Sequence, residues 1–202
     1  QGSSGVVART FSLAVAGVDY PNGLIVDENG DFYVASVGTD SVVKFNGRSG
    51  QPLLQFSGGG LNDPDGILLH ESTPGVPTLL VASYSTNSVK QYNLDTGLWI
   101  RDFVLPDAGI PGSTLDGAAS LAHAANGNLL VSSQNGDQVL EFDSITGEFV
   151  RVAAQGWGLD GPEGLLLMPD GGLLVASFYG GNVLRFAPDG SCREFIPAGS
   201  GG

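Results

Sequence analysis

Three short segments carry the side chains best suited to chemistry in this chain: Pro21-Asn22-Gly23, Pro64-Asp65-Gly66 and Pro162-Glu163-Gly164. Each sets an amide or a carboxylate between a residue that fixes φ and one that permits a bend. Each then leads into an aliphatic run. Several oxygens brought to one place suit a divalent cation, whereas a polar residue inside Pro-x-Gly also serves simply to cap a turn. His70 and His123 are the only imidazoles. They are too few for a zinc site unless Asp27 or another carboxylate joins them.

Whether the three segments meet depends on the elements that carry them, and these follow one ruler. Val34-Ala35-Ser36, Val81-Ala82-Ser83, Val131-Ser132-Ser133 and Val175-Ala176-Ser177 are followed at a constant spacing by Val42, Val89, Val139 and Val183. A ring comes three residues later: Phe45, Tyr92, Phe142 and Phe186. Repeats of roughly 40–50 residues, built of short strands and Gly-rich turns, mark propeller blades. In the first copy, Gly23–Val26 predicts an innermost strand buried on both faces. Asn29-Gly30 predicts a primed hairpin turn, and three more strands follow, ending at Leu53–Phe56. The fold expected is all-β: four complete blades of four antiparallel strands, at about 21–58, 63–104, 117–153 and 162–197, in one domain over 1–202. A lone outer strand is expected at 6–15, and an exposed Pro/Gly/Ser-rich loop at 105–115. Four blades and an orphan strand leave sheet edges unpaired. A longer parent protein with a larger ring is the expectation, with two chains sharing one ring, or a disordered remainder, as alternatives.

Within that frame the starts of the inner strands face the mouth of the central channel. Asn22, Asp65 and Glu163 therefore converge there from three blades. The third blade places Ala119 at this position, with Asp116 three residues earlier. Tyr84, Phe178 and Tyr179 follow the Val-Ala-Ser segments and could line one rim as a binding surface, though packing between blades is the commoner use of such rings.

Composition narrows the partners. The 202 residues carry 8 Lys+Arg against 21 Asp+Glu, a net charge of −13, so a phosphate backbone would be repelled and nucleic-acid binding is not expected. No apolar run reaches the ~18 residues that span a bilayer. Gly at 32 of 202 residues is about twice the usual ~7% share, as many tight turns require. Cys192 stands alone and reads as a small apolar residue of an outer strand.

The copies resemble NHL repeats. Pro21-Asn-Gly23, Asn29-Gly30, Tyr33-Val-Ala35 and Val42-Val-Lys-Phe45 follow that family's pattern in order. So do Pro162-Glu-Gly164, Asp170-Gly171, Leu174-Val-Ala176 and Val183-Leu-Arg-Phe186. Where many NHL repeats carry Asp after Val-Ala, this chain has Ser36, Ser83, Ser133 and Ser177. The resemblance implies that these hydroxyls tie neighbouring turns through bonds to the backbone. No His stands beside any of them in sequence, which argues against a nucleophile. A weaker resemblance to the gluconolactonase and regucalcin propellers implies a divalent metal, Ca²⁺ or another, held at the channel mouth by Asn22, Asp65 and Glu163, with Asp116 nearby. Blade order departs from that family, and Ala119 leaves one ring position empty.

Relatives of this kind include scaffolds and enzymes alike, so fold does not choose between them. The function expected is a non-catalytic NHL-repeat scaffold, extracellular or periplasmic, that binds a protein partner or self-assembles through rim loops and sheet edges. The alternative is a divalent-metal lactonase or lyase of the six-bladed type, with a small-molecule ligand at the channel mouth.

Overall fold

The computed structural model describes residues 16–73, 75–107, 109 and 115–200. The strand expected at 6–15 and part of the 105–115 loop lie outside these residues. Four antiparallel sheets are present, each with its four strands side by side in chain order. The first blade holds β1 (Pro21–Val26), β2 (Phe32–Ser36), β3 (Ser41–Phe45) and β4 (Pro52–Phe56). The second holds β5 (Pro64–Thr73), β6 (Val76–Ser83), β7 (Ser88–Asn93) and β8 (Trp99–Val104). The third holds β9 (Ala118–His123), β10 (Leu129–Ser133), β11 (Gln138–Phe142) and β12 (Phe149–Gln155). The fourth holds β13 (Pro162–Leu167), β14 (Leu173–Ser177), β15 (Asn182–Phe186) and β16 (Cys192–Ile196). The inner strands pack in succession, β1 on β5, β5 on β9 and β9 on β13. The described residues form four blades of a β-propeller.

The spacing of Val and ring in each third strand explains this arrangement. Side chains alternate faces along a strand, so residues three apart point to opposite sides. Val42 and Val89 face the following blade, whereas Tyr92 and Phe142 face the preceding one. Tyr33, Ala35, Val42 and Phe56 meet Ile67, Leu79, Val81 and Tyr92 between the first two blades. Leu80, Val89 and Val104 meet Leu121, Leu129 and Phe142 in the next joint. Leu130, Val139 and Ala154 meet Leu173, Val175 and Phe186 in the last. An aliphatic residue from each connector, Leu61, Leu115 or Leu159, enters the joint that it bridges. Each such side chain contributes about 1.5–3 kcal/mol when fully buried.

Polar bonds lock the same joints. The four serines act as the resemblance implied. Ser36, Ser83, Ser133 and Ser177 each accept from a connector N–H and donate to the same residue's carbonyl, at Asp19, Asn62, Asp116 and Asp160. A second device clasps one blade to the next. Asp40, Asn87 and Asp137 sit in the left-handed region, at φ 47, 52 and 53. Their Oδ1 atoms accept from the N–H of Asp63, Gly117 and Gly161, just ahead of the next inner strand, at 2.9, 2.8 and 2.8 Å. The fourth blade has Gly181 in this place, also left-handed at φ 65. It carries no clasp, although a Cβ there would meet only Ala198.

Two expectations need correction. The innermost strands are not buried on both faces throughout: Leu24 of β1 and Leu166 of β13 are 63% and 60% exposed. Among the described residues these blades lie at the two ends of the series, where one side of the inner strand has no neighbouring inner strand. The glycines of the Pro-x-Gly segments show the same thing. A Cβ at Gly23 would collide with the carbonyl of Asp65, and one at Gly66 with that of Ala119. At Gly164 it would touch only Ala176 of its own blade. The Asn29-Gly30 turn is also not a primed one, because only Gly30 has positive φ, at 80°. The Asp27 carboxylate organises that turn instead, accepting from the N–H groups of Asn29 and Asp31, both at 3.0 Å.

Removing a clasp without adding left-handed strain should weaken a joint. Asn87→Gly and Asp137→Gly are each expected to lower unfolding stability by about 1–2 kcal/mol in urea titrations. Gly181→Asn is expected to leave it unchanged within about 0.5 kcal/mol.

Candidate functional site

The three Pro-x-Gly segments do meet. Asn22, Asp65 and Glu163 line one cavity of about 360 Å³ together with Ala119 and Ser120. A smaller recess of about 180 Å³ beside it is bounded by Asn22, Asp63, Asp65, Tyr84, Gln134 and Glu163. Close backbone approach of the inner strands at Gly23 and Gly66 makes this convergence possible. Ala119 supplies no polar side chain at the position that Asn22, Asp65 and Glu163 hold in the other blades, and the third blade contributes Ser120 and Gln134 instead. Asp116 does not join the cavity wall. Its carboxylate accepts instead from the amide of Asn135, at 3.3 Å.

The two carboxylates sit in different surroundings. Glu163 Oε1 accepts from Gln134 Nε2 at 3.1 Å, and Gln134 Oε1 accepts from the Tyr84 hydroxyl at 2.8 Å. The main chain of Glu163 is held as well, its carbonyl accepting from Ser132 Oγ at 3.2 Å. Asp65 has no such support. Burial, then the charge of Glu163, then that of Asp63 push its pKa up to about 7. Asp65 thus carries a proton for part of the neutral range while Glu163 is held by hydrogen bonds. A cation bound between them would relieve their repulsion.

Tyr84 belongs to this network through its hydroxyl and is half-buried. Phe178 and Tyr179 are exposed and pack edge to face with each other, ring centroids 5.0 Å apart. Ser132 and Gln134 escaped notice in the sequence, yet there was a signal: the third copy reads Val-Ser-Ser where the others read Val-Ala-Ser. The extra hydroxyl, fully buried, reaches across to the fourth blade's inner strand.

The histidines lie at the opposite ends of the inner strands. Their rings stack with centroids 5.5 Å apart and 23° between planes. His70 Nε2 lies 2.7 Å from the Ser144 carbonyl, and His123 Nε2 lies 3.3 Å from that of Leu69. Burial holds the pKa of His70 below its ordinary value. Asp27 does not complete a zinc site with them, since its carboxylate pairs with Lys44 at 3.0 Å. Among the described residues no group of three His, Cys, Asp or Glu side chains is placed to hold a metal ion. Cys192 is half-buried against the third joint, in keeping with an apolar role.

No family model matches the chain, and no curated protein sequence matches it. Among solved structures it is similar to virginiamycin B lyase from Staphylococcus aureus, with 16% identity and a TM-score of 0.66 over 90% of this chain and 57% of that one. A streptogramin B lyase gives 16% identity and a TM-score of 0.66, over 89% of this chain and 56% of that one. Hydrazine synthase of Kuenenia stuttgartiensis gives 15% and 0.67, over 97% and 53%. The chain thus spans little more than half the length of these proteins. At such identities the likeness establishes the β-propeller fold and goes no further.

The raised pKa of Asp65 has a sign that can be tested. The unfolded chain releases this proton near pH 4 and the folded one near pH 7, so the contribution of Asp65 to stability falls as pH rises through that window. Asp65→Asn should gain on the wild type from pH 4 to pH 7 and level off above. After allowance for partial exposure the gain is about 1–2 kcal/mol, read from urea midpoints at each pH.

Proposed function

We propose that this propeller is an extracellular or periplasmic binding and assembly module with no catalysis of its own. Its contacts are made by the last blade and the adjoining rim. One observation carries this reading. Leu166, Leu174, Val183 and Ile196 share the face of the fourth blade that points away from the third. The matching Leu80, Val89 and Val104 of the second blade lie buried in a joint. In the fourth blade Leu166 and Ile196 are open to solvent, at 60% and 46% exposure. Phe178 and Tyr179 add exposed rings beside it. An apolar sheet face of this kind marks a surface that meets another protein. A tagged chain and its Leu166→Asp/Ile196→Asp variant, cross-linked in extracts of the source, test the reading. The wild type should give partner cross-links mapping to β13 and β16 that the variant loses. Equal recovery from both would overturn the assignment.

The enzyme reading has its own support in the uncompensated Asp65 and Glu163 pair. Asn22, Asp65 and Glu163 would hold a divalent cation, which would polarise a carbonyl or lactone oxygen. Two carboxylates and one amide fit such an ion only in part, since Ca²⁺ takes about 6–8 oxygens. Saturating Ca²⁺ should then raise the unfolding midpoint by several degrees, an effect that Glu163→Ala abolishes. A midpoint indifferent to Ca²⁺ removes this alternative.

A further inference from the structure

We propose that the cavity between the third and fourth blades binds a small uncharged aromatic molecule carrying an oxygen acceptor, a phenol or an aryl carbonyl compound. The cavity encloses about 260 Å³. Leu130, Leu173 and Phe186, all buried, form its floor, and Arg151 stands at its rim. An apolar cavity of about 150 Å³ already has room for one benzene ring.

The space exists because two rings are missing from this joint. The outer strands of the second and third blades keep one register. Val89 opposes Val104 and Lys90 opposes Asp102, so Phe103 is the bulged residue between them. Val139 opposes Ala154 and Leu140 opposes Val152, so Ala153 is the bulged residue of the third blade. At the ends of the inner strands, Leu79 opposes Leu69 just before His70, and Leu129 opposes His123 just before Ala124. Phe103 and His70 pack edge to face in the second joint, ring centroids 5.4 Å apart. They fill it so closely that they are 3% and 5% exposed and His70 Nδ1 is shut in without a partner. In the third joint Ala153 and Ala124 stand in their places, only half-buried, and both line the cavity.

The arginine beside the gap selects what fills it. Arg101 lies over the Phe103 ring, 4.9 Å from its centroid, and donates through Nε and Nη2 to Gln91 and to the Ile145 carbonyl. Arg151 opposes Glu141 as Arg101 opposes Gln91. Among the described residues it covers no ring, and its one polar contact runs from Nη2 to Glu141, at 2.6 Å. A ligand ring in the place of Phe103 would meet the face of this guanidinium. An oxygen on that ring would accept from one of its remaining N–H groups. Arg151 and Arg185 are already paired, with Glu141 and Asp170, so an anion would find no unpaired cation here. A cationic ring would be repelled by the guanidinium that it must lie against. A saturated ligand would fill the volume and forgo that contact.

The experiment is isothermal titration calorimetry of the intact chain with phenol. Saturable 1:1 binding with a Kd below about 1 mM is expected. Cyclohexanol, of similar size without a π face, should bind about threefold or more weakly. Ala153→Phe fills the gap as the second blade does and should abolish binding. Ala153→Leu, a smaller filling that answers the question even where the larger one does not fold, should weaken it about tenfold. Arg151→Lys keeps a charge against Glu141 but loses the flat face, and should weaken phenol while leaving cyclohexanol unchanged. Absence of saturable phenol binding would overturn the assignment. So would phenol binding that survives the fillings, which places the ligand elsewhere, or equal affinity for cyclohexanol. The cavity lies within the third joint, away from the outward face of the fourth blade, so each of these results leaves the assembly reading as it stands.

Discussion

A four-stranded twisted sheet with two apolar faces has nowhere stable to stand except between two others like it. That requirement organises the molecule. Val42, Val89 and Val139 point one way from their strands and Tyr92, Phe142 and Phe186 point the other, so the second and third blades are slabs glued on both sides. The gluing force is burial of apolar area, which is non-directional. Direction comes from polar devices at the edges, the serine tethers within each connector and the Asp or Asn clasp from one blade to the next. These recur because the joint recurs.

Among the described residues the series of joints runs from the first blade to the fourth. The fourth blade has the apolar face of its siblings and lacks their clasp, Gly181 standing where Asp40, Asn87 and Asp137 stand. On that face Leu166 and Ile196 are exposed, and Gly181 offers no side chain for the hydrogen bond that fixes register in the other joints. The same constraint shapes the channel. Inner strands driven together at Gly23 and Gly66 bring Asn22, Asp65 and Glu163 to one mouth. At the other end their hairpins enclose the histidine pair. Both clusters are by-products of stacking slabs around an axis, and each is then tuned by local bonds: Gln134 and Ser132 hold Glu163, while among the described residues no hydrogen bond holds the Asp65 carboxyl.

Much of the fold was legible because it is periodic. The Val-to-ring offset encodes two-faced strands, and the copies of Val-Ala-Ser mark the same turn in each blade. The convergence of the Pro-x-Gly segments followed from counting within that frame. Less was legible wherever the answer depended on neighbours along another blade. The exposure of Leu24 and Leu166 comes from their place at the ends of the series, which their own flanking residues do not reveal. The Tyr84–Gln134–Glu163 chain of hydrogen bonds links second-turn and inner-strand positions of three blades and has no spacing signature. Asp27 looked like a free carboxylate near two histidines, yet Lys44, two strands away, claims it.

By itself, then, the chain of residues determined the strand periodicity, the number of copies and the faces that must be hidden, since these are set by local alternation and by turn chemistry. The tertiary structure alone decided which of those faces stay open and which carboxylate is stabilised. It also decided which imidazole nitrogen lacks a partner. Burial, hydrogen-bond completion and pKa depend on distances across blades, and no order of residues along one strand contains those distances.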